Sequence, residues 1–583
     1  MGFSRTNLAI KGCFSAATVI RCALSCLSLL VLVACQTSDS FAPREMSKVA
    51  QSDMGMVVAA HPLAAEAGRA ILALGGNAAD AAVAAAYVIA VVEPTMNGIG
   101  GRNQILLRTP DGSYIGYGGM TEVPASYVMP ESPDASGFGV VGIPGAVSSL
   151  NKVHQEYGIL SLDLVMAAAI RIARDGFALL PGEAARHAIG REAIESDPGL
   201  RRTFLKSNGE TYAAGEILTQ RPLARTLNAI AESNGSAFYK GPIAETISHN
   251  ILAAGGFVSE SDLAGYQAAQ GRYVSTSYRG FEVHSLAAPA GGGLLIKTLN
   301  LLEQLSLPEM HDASWAVVMN QALSIAINGM REDYYEPDLE KIQSKPWAKQ
   351  RATDIVTIAA NLEFPASNSK QLNLAQHDWA GESWGDNSHH TTHLVTADCS
   401  GMTVSMTQTL GPLFGAKVSD PELGIVYAAT MGTYLSAADQ SPGSRPRTTI
   451  APTVVSKDGE VVLVLGAAGG LRILSAITQV ISRYIDQGMS LEQALAAPRL
   501  HPMRDTDSEQ RNFNPRGINL EAGWSAAVIA AINSAAFETE VTDRVGAFGR
   551  VHALEQIPAG WSGIADPDWE GISAGQQNGV CTL

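Results

Sequence analysis

Apolar residues recur along the chain with two different periods, and the change from one to the other falls near residue 390. From Met56 the run MVVAA reads as a buried strand, after which His61-Pro62 opens a helix that Gly75-Gly76 closes. Asn77 stands where a helix cap is wanted, and the Ala- and Val-rich segment 78–92 follows until Glu93-Pro94 stops it. Both helices are apolar on nearly every side, which predicts that they are buried. Between roughly 140 and 345 most segments show a spacing near 3.6 with Gly or Pro at their ends, among them LDLVMAAAIRIARDGF, EAARHAIGREAIE, RPLARTLNAIAESNG and PIAETISHNILAAGG. Residues 345–388 are polar and weakly patterned, and predict an exposed loop. Beyond them the period drops to two. TTHLVTADCSGMTVSMTQTL predicts two strands around Asp398-Cys399-Ser400-Gly401, and TVVSKDGEVVLVLGAAGG a hairpin around Lys457-Asp458-Gly459. A helix, SAITQVISRYIDQG, comes next. No internal repeat is visible. The layout is that of an α+β chain whose C-terminal half stacks sheets with helices outside.

The amino end reads differently. Residues 1–34 carry Arg5, Lys11 and Arg21, no acidic side chain, and an apolar run from Ala23 to Ala34, the pattern of a secretory signal too short for a comfortable membrane span. Leu32-Val33-Ala34-Cys35 resembles a bacterial lipobox, in which Cys35 is acylated and becomes the mature terminus; Gln36 rather than Asp after it fits sorting to an outer membrane. Residues 35–52 then read as a lipidated tether. Cys13, Cys22 and Cys26 leave with the signal, so Cys399 and Cys581 allow one disulfide at most.

Composition narrows the function classes. Hydrophobic residues make up 46% and charged ones 16%, enough for a large core. The 40 Lys and Arg against 56 Asp and Glu give −16, which argues against a nucleic-acid partner. His389, His390 and His393 lack a carboxylate or fourth ligand at useful spacing, and no metal or organic cofactor is expected.

The chemistry concentrates where the polar loop runs into His390-Thr391-Thr392-His393 at the start of a strand. A strand fixes the position of a nucleophile, and a loop before it can depart once cut. Threonine is a weak nucleophile at neutral pH, and a free α-amine on the same residue, with a pKa near 8, can serve as its base.

These residues carry a resemblance. HPLAAEAGRAILALGGNAADAAVAAA (61–86), VVEPTMNGIGG (91–101), GIPGAVSSL (142–150), TTH (391–393), RPRTTIAPT (445–453), GAAGGLRI (466–473) and GRVHAL (549–554) resemble, in order and spacing, the γ-glutamyltransferase (glutathione hydrolase) family of N-terminal-nucleophile hydrolases. The resemblance implies a four-layer αββα sandwich. It also implies self-cleavage between His390 and Thr391, giving a large subunit (53–390) and a small subunit (391–583) that stay together. It makes Thr391 the nucleophile, Thr409 the residue that orients it, and Gly469 and Gly470 the oxyanion-hole pair. Thr448 and Thr449 match a Ser-Ser pair that contacts the substrate carboxylate. The substrate would be a small-molecule or peptide amide, and the acyl group would pass from Thr391 to water or an amine.

The head-group positions depart from that pattern. The family Arg that pairs with the substrate α-carboxylate falls at Met120, a family Asn at Gly411, and the acidic residue for the α-amine at Thr433. Arg102 is an addition after the glycine run, and is expected to reach the vacated anion site. The segment from Thr433 to Thr448 is short and implies an open cleft without a lid. Two further readings stay open: an acylase of changed specificity, similar to a cephalosporin acylase, and a non-catalytic surface lipoprotein that binds a peptide or envelope component.

Overall fold

The computed structural model describes residues 1–2, 47–307, 312–329, 341, 343–359, 390–436, 439–505, 512–542 and 548–577. The chain divides into a unit of residues 1–46 and a unit of residues 47–583, and every element below belongs to the second. All but the first two residues of the expected signal (1–34), together with Cys35, His389 and Cys581, lie outside the described residues.

The second unit is a four-layer αββα sandwich. Sheet A contains β1 (Val49–Ser52), β6 (Tyr273–Tyr278), β7 (Phe281–Leu286), β10 (Thr453–Lys457), β11 (Glu460–Ala468), β12 (Arg550–Ile557) and β13 (Gly560–Ile564). Its spatial order is β1-β13-β12-β11-β10-β7-β6. Sheet B contains β2 (Gly55–Ala59), β3 (Arg102–Arg108), β4 (Tyr114–Gly119), β5 (Ala269–Gly271), β8 (His390–Asp398), β9 (Thr403–Gly411) and β14 (Ile572–Gly575). Its order is β14-β2-β8-β9-β3-β4-β5. Each sheet takes strands from both sides of the His390–Thr391 bond.

Strand alternation explains the layering. Val58, Leu106 and Val395 of sheet B meet Val454, Val464 and Leu554 of sheet A in the core between the sheets. Their neighbours Val57, Leu107 and Leu394 point the other way, onto α1 (Pro62–Ala73) and α2 (Ala78–Val92). On the far side, Val455, Leu463 and Leu465 pack against α3 (Gly292–Glu303), α4 (Asp312–Asn328) and α5 (Arg472–Ile485). The residues of α2 are buried along its whole length, as its all-round apolar pattern requires. Asn77 caps it, accepting from Ala79 and Asp80 N–H at 3.0 Å each while the Asp80 carboxylate answers Asn77 N–H at 3.2 Å.

Three expectations need correction. The tether does not run to residue 52, because Val49–Ser52 is an edge strand in register with Ile564 to Trp561. The predicted loop at 345–388 begins with a helix, Lys345–Ala359. The region read as mostly helical also holds the β6–β7 hairpin, which turns at Arg279-Gly280 with φ of +54° and +81°. The β8–β9 and β10–β11 hairpins form where the sequence places them. Cys399, in the β8–β9 turn, is disulfide-bonded to a partner outside the described residues.

Candidate active site

Strand β8 begins at His390, and its pairing with β9 is irregular at that point. His390 opposes Gly411 and Thr392 opposes Gln408, so Thr391 faces two residues of β9, Thr409 and Leu410, where a regular ladder offers one. The bulge turns the Thr409 hydroxyl into the gap. Thr391 Oγ1 donates to Thr409 Oγ1 at 3.1 Å, and Thr409 Oγ1 donates to the His390 carbonyl oxygen at 2.7 Å. Gly411 N–H in turn donates to Thr409 Oγ1 at 2.9 Å, which fixes the rotamer of that hydroxyl. A continuous chain therefore links the Thr391 hydroxyl to the carbonyl of its own preceding peptide bond. Thr391 is only 6% exposed in the uncut chain, so its hydroxyl meets that bond before any substrate.

The facing sheet brings the two glycines to the same edge. Ser405, opposite Val395, donates to the Leu465 carbonyl at 2.9 Å. One step further along, the His393 ring lies so close to Gly466 that a Cβ there would come within 2.3 Å of it. Continuing in that direction places the Thr391 end of β8 with the Ala468 end of β11, directly before Gly469 and Gly470. These two have φ of +134° and +59°. A side chain at 469 would meet the Gly549 backbone at 2.8 Å, so only glycine fits. Among the described residues neither glycine N–H has a protein acceptor. Two free N–H groups at consecutive positive φ can take a developing oxyanion.

The expected substrate-side threonines are also placed near the glycines. Thr449 Oγ1 donates to the Gly470 carbonyl at 2.7 Å, and Thr448 Oγ1 accepts from Ile450 N–H at 3.2 Å. The structure thus spends the Thr449 hydroxyl on holding the glycine turn. Met120 follows β4 and is buried, and Thr433 is exposed with its N–H on the Asp134 carbonyl at 3.1 Å. The segment between Thr433 and Thr448 folds back, with Val123 N–H donating to the Ser444 carbonyl at 2.9 Å. Arg102 opens β3 directly opposite Thr409. Its Nη1 donates to the Ala429 carbonyl at 2.9 Å and reaches Thr430 Oγ1 at 3.5 Å.

One buried group carried no signal in the sequence beyond ending a helix. Glu93 lies beneath β8, close to the Thr392 hydroxyl; burial pushes its carboxyl up to about 7, against the pull of Arg186. Its neighbour Glu183 goes the other way: burial raises it, but Arg186 at 2.6 Å outweighs that and holds it at about 2. The Glu93 carboxyl is therefore protonated in the fold at mildly acid pH and ionised, at a cost, above neutrality. Its pKa is raised above the ordinary 4.5, so its stabilising contribution is complete below that value and fades as pH rises through 7. Glu93→Gln should lose this slope. Its stability relative to the parent should rise by about 3 kcal/mol between pH 4.5 and 7.5, measured by denaturant melts at both ends; parallel pH profiles would refute the assignment.

Among the described residues no group of three His, Cys, Asp or Glu is arranged to hold a metal ion. His393 has its Nδ1 2.7 Å from Thr407 Oγ1.

A strand-initial threonine hydrogen-bonded toward its own peptide carbonyl, between two sheets flanked by helices, defines an N-terminal-nucleophile hydrolase. The model of the gamma-glutamyltranspeptidase family matches residues 64–576, and the chain belongs to that family. It is similar to the glutathione hydrolase proenzyme of Pseudomonas sp. strain A14, with 31% identity covering 81% of this chain and 84% of that protein. It is also similar to the acylase ACY 1 proenzyme of Pseudomonas sp. strain SE83, at 31% identity over 78% of this chain and 83% of that one. Among solved structures, the cephalosporin acylase of Bacillus halodurans superposes with a TM-score of 0.79 at 27% identity, covering 93% of this chain and 99% of that one. The chain is an enzyme of this family.

Proposed function

We propose that the chain cleaves itself between His390 and Thr391 and then works as an amide hydrolase and transpeptidase through an ester on Thr391. The hydrogen-bond chain Thr391 Oγ1–Thr409 Oγ1–His390 O carries this reading. In maturation, the Thr391 oxygen attacks the His390 carbonyl carbon as the Thr409 hydroxyl polarises that carbonyl. The C–N bond breaks, the Thr391 nitrogen takes the proton, and water hydrolyses the resulting ester. The freed α-amine then becomes the base for the Thr391 hydroxyl. Attack on a substrate amide puts negative charge on the carbonyl oxygen, where the Gly469 and Gly470 N–H groups are free to receive it. The leaving amine takes the proton, and water or a second amine takes the acyl group.

The relatives named glutathione hydrolase support γ-glutamyl amides such as glutathione as substrates, and the acylase relatives support a different acyl group. The sequence before Gln36 supports export, acylation at Cys35 and anchoring in the cell envelope, on the periplasmic side of an outer membrane. One experiment reads both parts. Intact mass of protein purified from the envelope should show two chains, one ending at His390 with a diacylglyceryl group on Cys35, the other beginning at Thr391. The second chain should gain an acyl mass on brief exposure to an amide substrate. A single uncut chain would instead favour a binding lipoprotein.

A further inference from the structure

Among the described residues Arg102 is a cation without an anion. Among the described residues it makes no ion pair with any carboxylate, its Nε is shut off from water with no hydrogen-bond partner, and its Nη2 donates to nothing. Both hydrogen bonds it makes among the described residues use Nη1, which leaves Nη2 free for a ligand. A carboxylate can take a charge-assisted hydrogen bond from that nitrogen. A half-buried guanidinium left this way carries a desolvation cost that a ligand would offset. Burial alone draws its pKa down to about 10, and only the Tyr434 phenol opposes that.

Arg102 lies beside the reaction centre. Arg102 pairs directly with Thr409, whose hydroxyl touches that of Thr391. Its Nη2 lies 3.2 Å from where a side chain on Gly411 would begin, so the missing side chain at 411 leaves a hollow in front of the guanidinium. Asn103 pairs with Gly119, and extending that register sets Met120 across from Arg102, on the same face of sheet B. An arginine has therefore moved one strand over, to the neighbour of the position where the resemblance expects one.

The other half of an amino-acid head group finds no counterpart. Thr433 carries no charge, and among the described residues Glu122 is engaged with Arg445 at 2.9 Å and Asp439 with Arg447 at 3.8 Å, while Asp134 beside Thr433 is exposed to solvent. Among the described residues the cleft offers a half-buried cation for a carboxylate, and no half-buried unpaired carboxylate is placed beside it for an ammonium.

We propose that Arg102 is the specificity-determining residue of this enzyme and that it selects amides of short dicarboxylic acids, acyl groups with a terminal carboxylate and no α-amine. The proposal rests on Thr391 being the acylating nucleophile. In the reaction the Thr391 oxygen forms an ester with the amide carbonyl, the C–N bond breaks, and the amine leaves with the hydroxyl proton. Water then cleaves the ester, returning the free dicarboxylate and the Thr391 hydroxyl.

The test uses the matured enzyme and p-nitroanilides of butyric, succinic, glutaric and adipic acids and of γ-linked glutamate. One of the dicarboxylic series should exceed the butyryl compound in kcat/KM, and should also exceed the γ-glutamyl compound. In Arg102→Met the ratio of that dicarboxylic substrate to butyryl should fall about 10- to 100-fold, with Arg102→Lys between the two. A second measurement needs no variant: free glutarate should inhibit butyryl hydrolysis by the parent enzyme much more strongly than glutaramide does. Equal losses on all substrates, or equal inhibition by glutarate and glutaramide, would overturn the proposal while leaving the Thr391 mechanism standing. If no anilide places an acyl group on Thr391, the mechanism itself falls, and the proposal with it.

Discussion

Thr391→Ala will accumulate as one uncut chain with no detectable amidase activity. The substitution removes the oxygen that attacks the His390 carbonyl and leaves the 3.1 Å contact to Thr409 without a donor. Because the same oxygen serves both reactions, the two losses must occur together. The side chain is small and its backbone lies within a paired strand, so the fold should persist, and a melting temperature within a few degrees of the parent would confirm this. A gel showing cleavage in this variant would refute the mechanism. Thr391→Ser is the companion measurement: it keeps the oxygen, and cleavage should continue.

The second large effect belongs to Thr409→Val. Valine keeps the shape and removes the hydroxyl that accepts from Thr391, donates to the His390 carbonyl and receives Gly411 N–H. Self-cleavage should slow by about 100- to 1,000-fold, the range found when a positioned proton-transfer group or oxyanion donor is removed. It is followed as the decay of the uncut band with time after refolding. A rate within about threefold of the parent would show that the bulge hydroxyl is only structural.

Much of this architecture was legible in the chain because its signals are local. Asn77 marks the start of α2 to the residue, and the Asp458-Gly459 turn of the β10–β11 hairpin has the φ of +53° and +85° that such a dipeptide prefers. The sandwich followed from recognising motifs scattered between residues 61 and 554. What failed depends on distant partners. VAQS at 49–52 has no strand period of its own and becomes a strand only because Trp561–Ile564 offers it an edge. The β6–β7 hairpin alternates weakly and is held by pairing with β10, about 170 residues away. At the site, the types of Thr391, Thr409, Gly469 and Gly470 could be read in sequence, but the bulge joining the first two could not. Nor could sequence show that the Thr449 hydroxyl donates to the Gly470 carbonyl. Glu93 looked like punctuation before a proline, and only its burial beneath β8 makes it a titrating group.

The interleaving of strands across both sheets makes maturation a one-way step for the polypeptide. Before the cut, β8 and β2 belong to one chain and can find each other again after denaturation as an intramolecular event. Afterwards the same ladder joins two molecules, and its recovery depends on their concentration. The precursor should therefore regain its structure at any dilution, whereas the processed enzyme, once dispersed in denaturant, should return only in concentrated solution. Having folded once, the molecule discards its own route back.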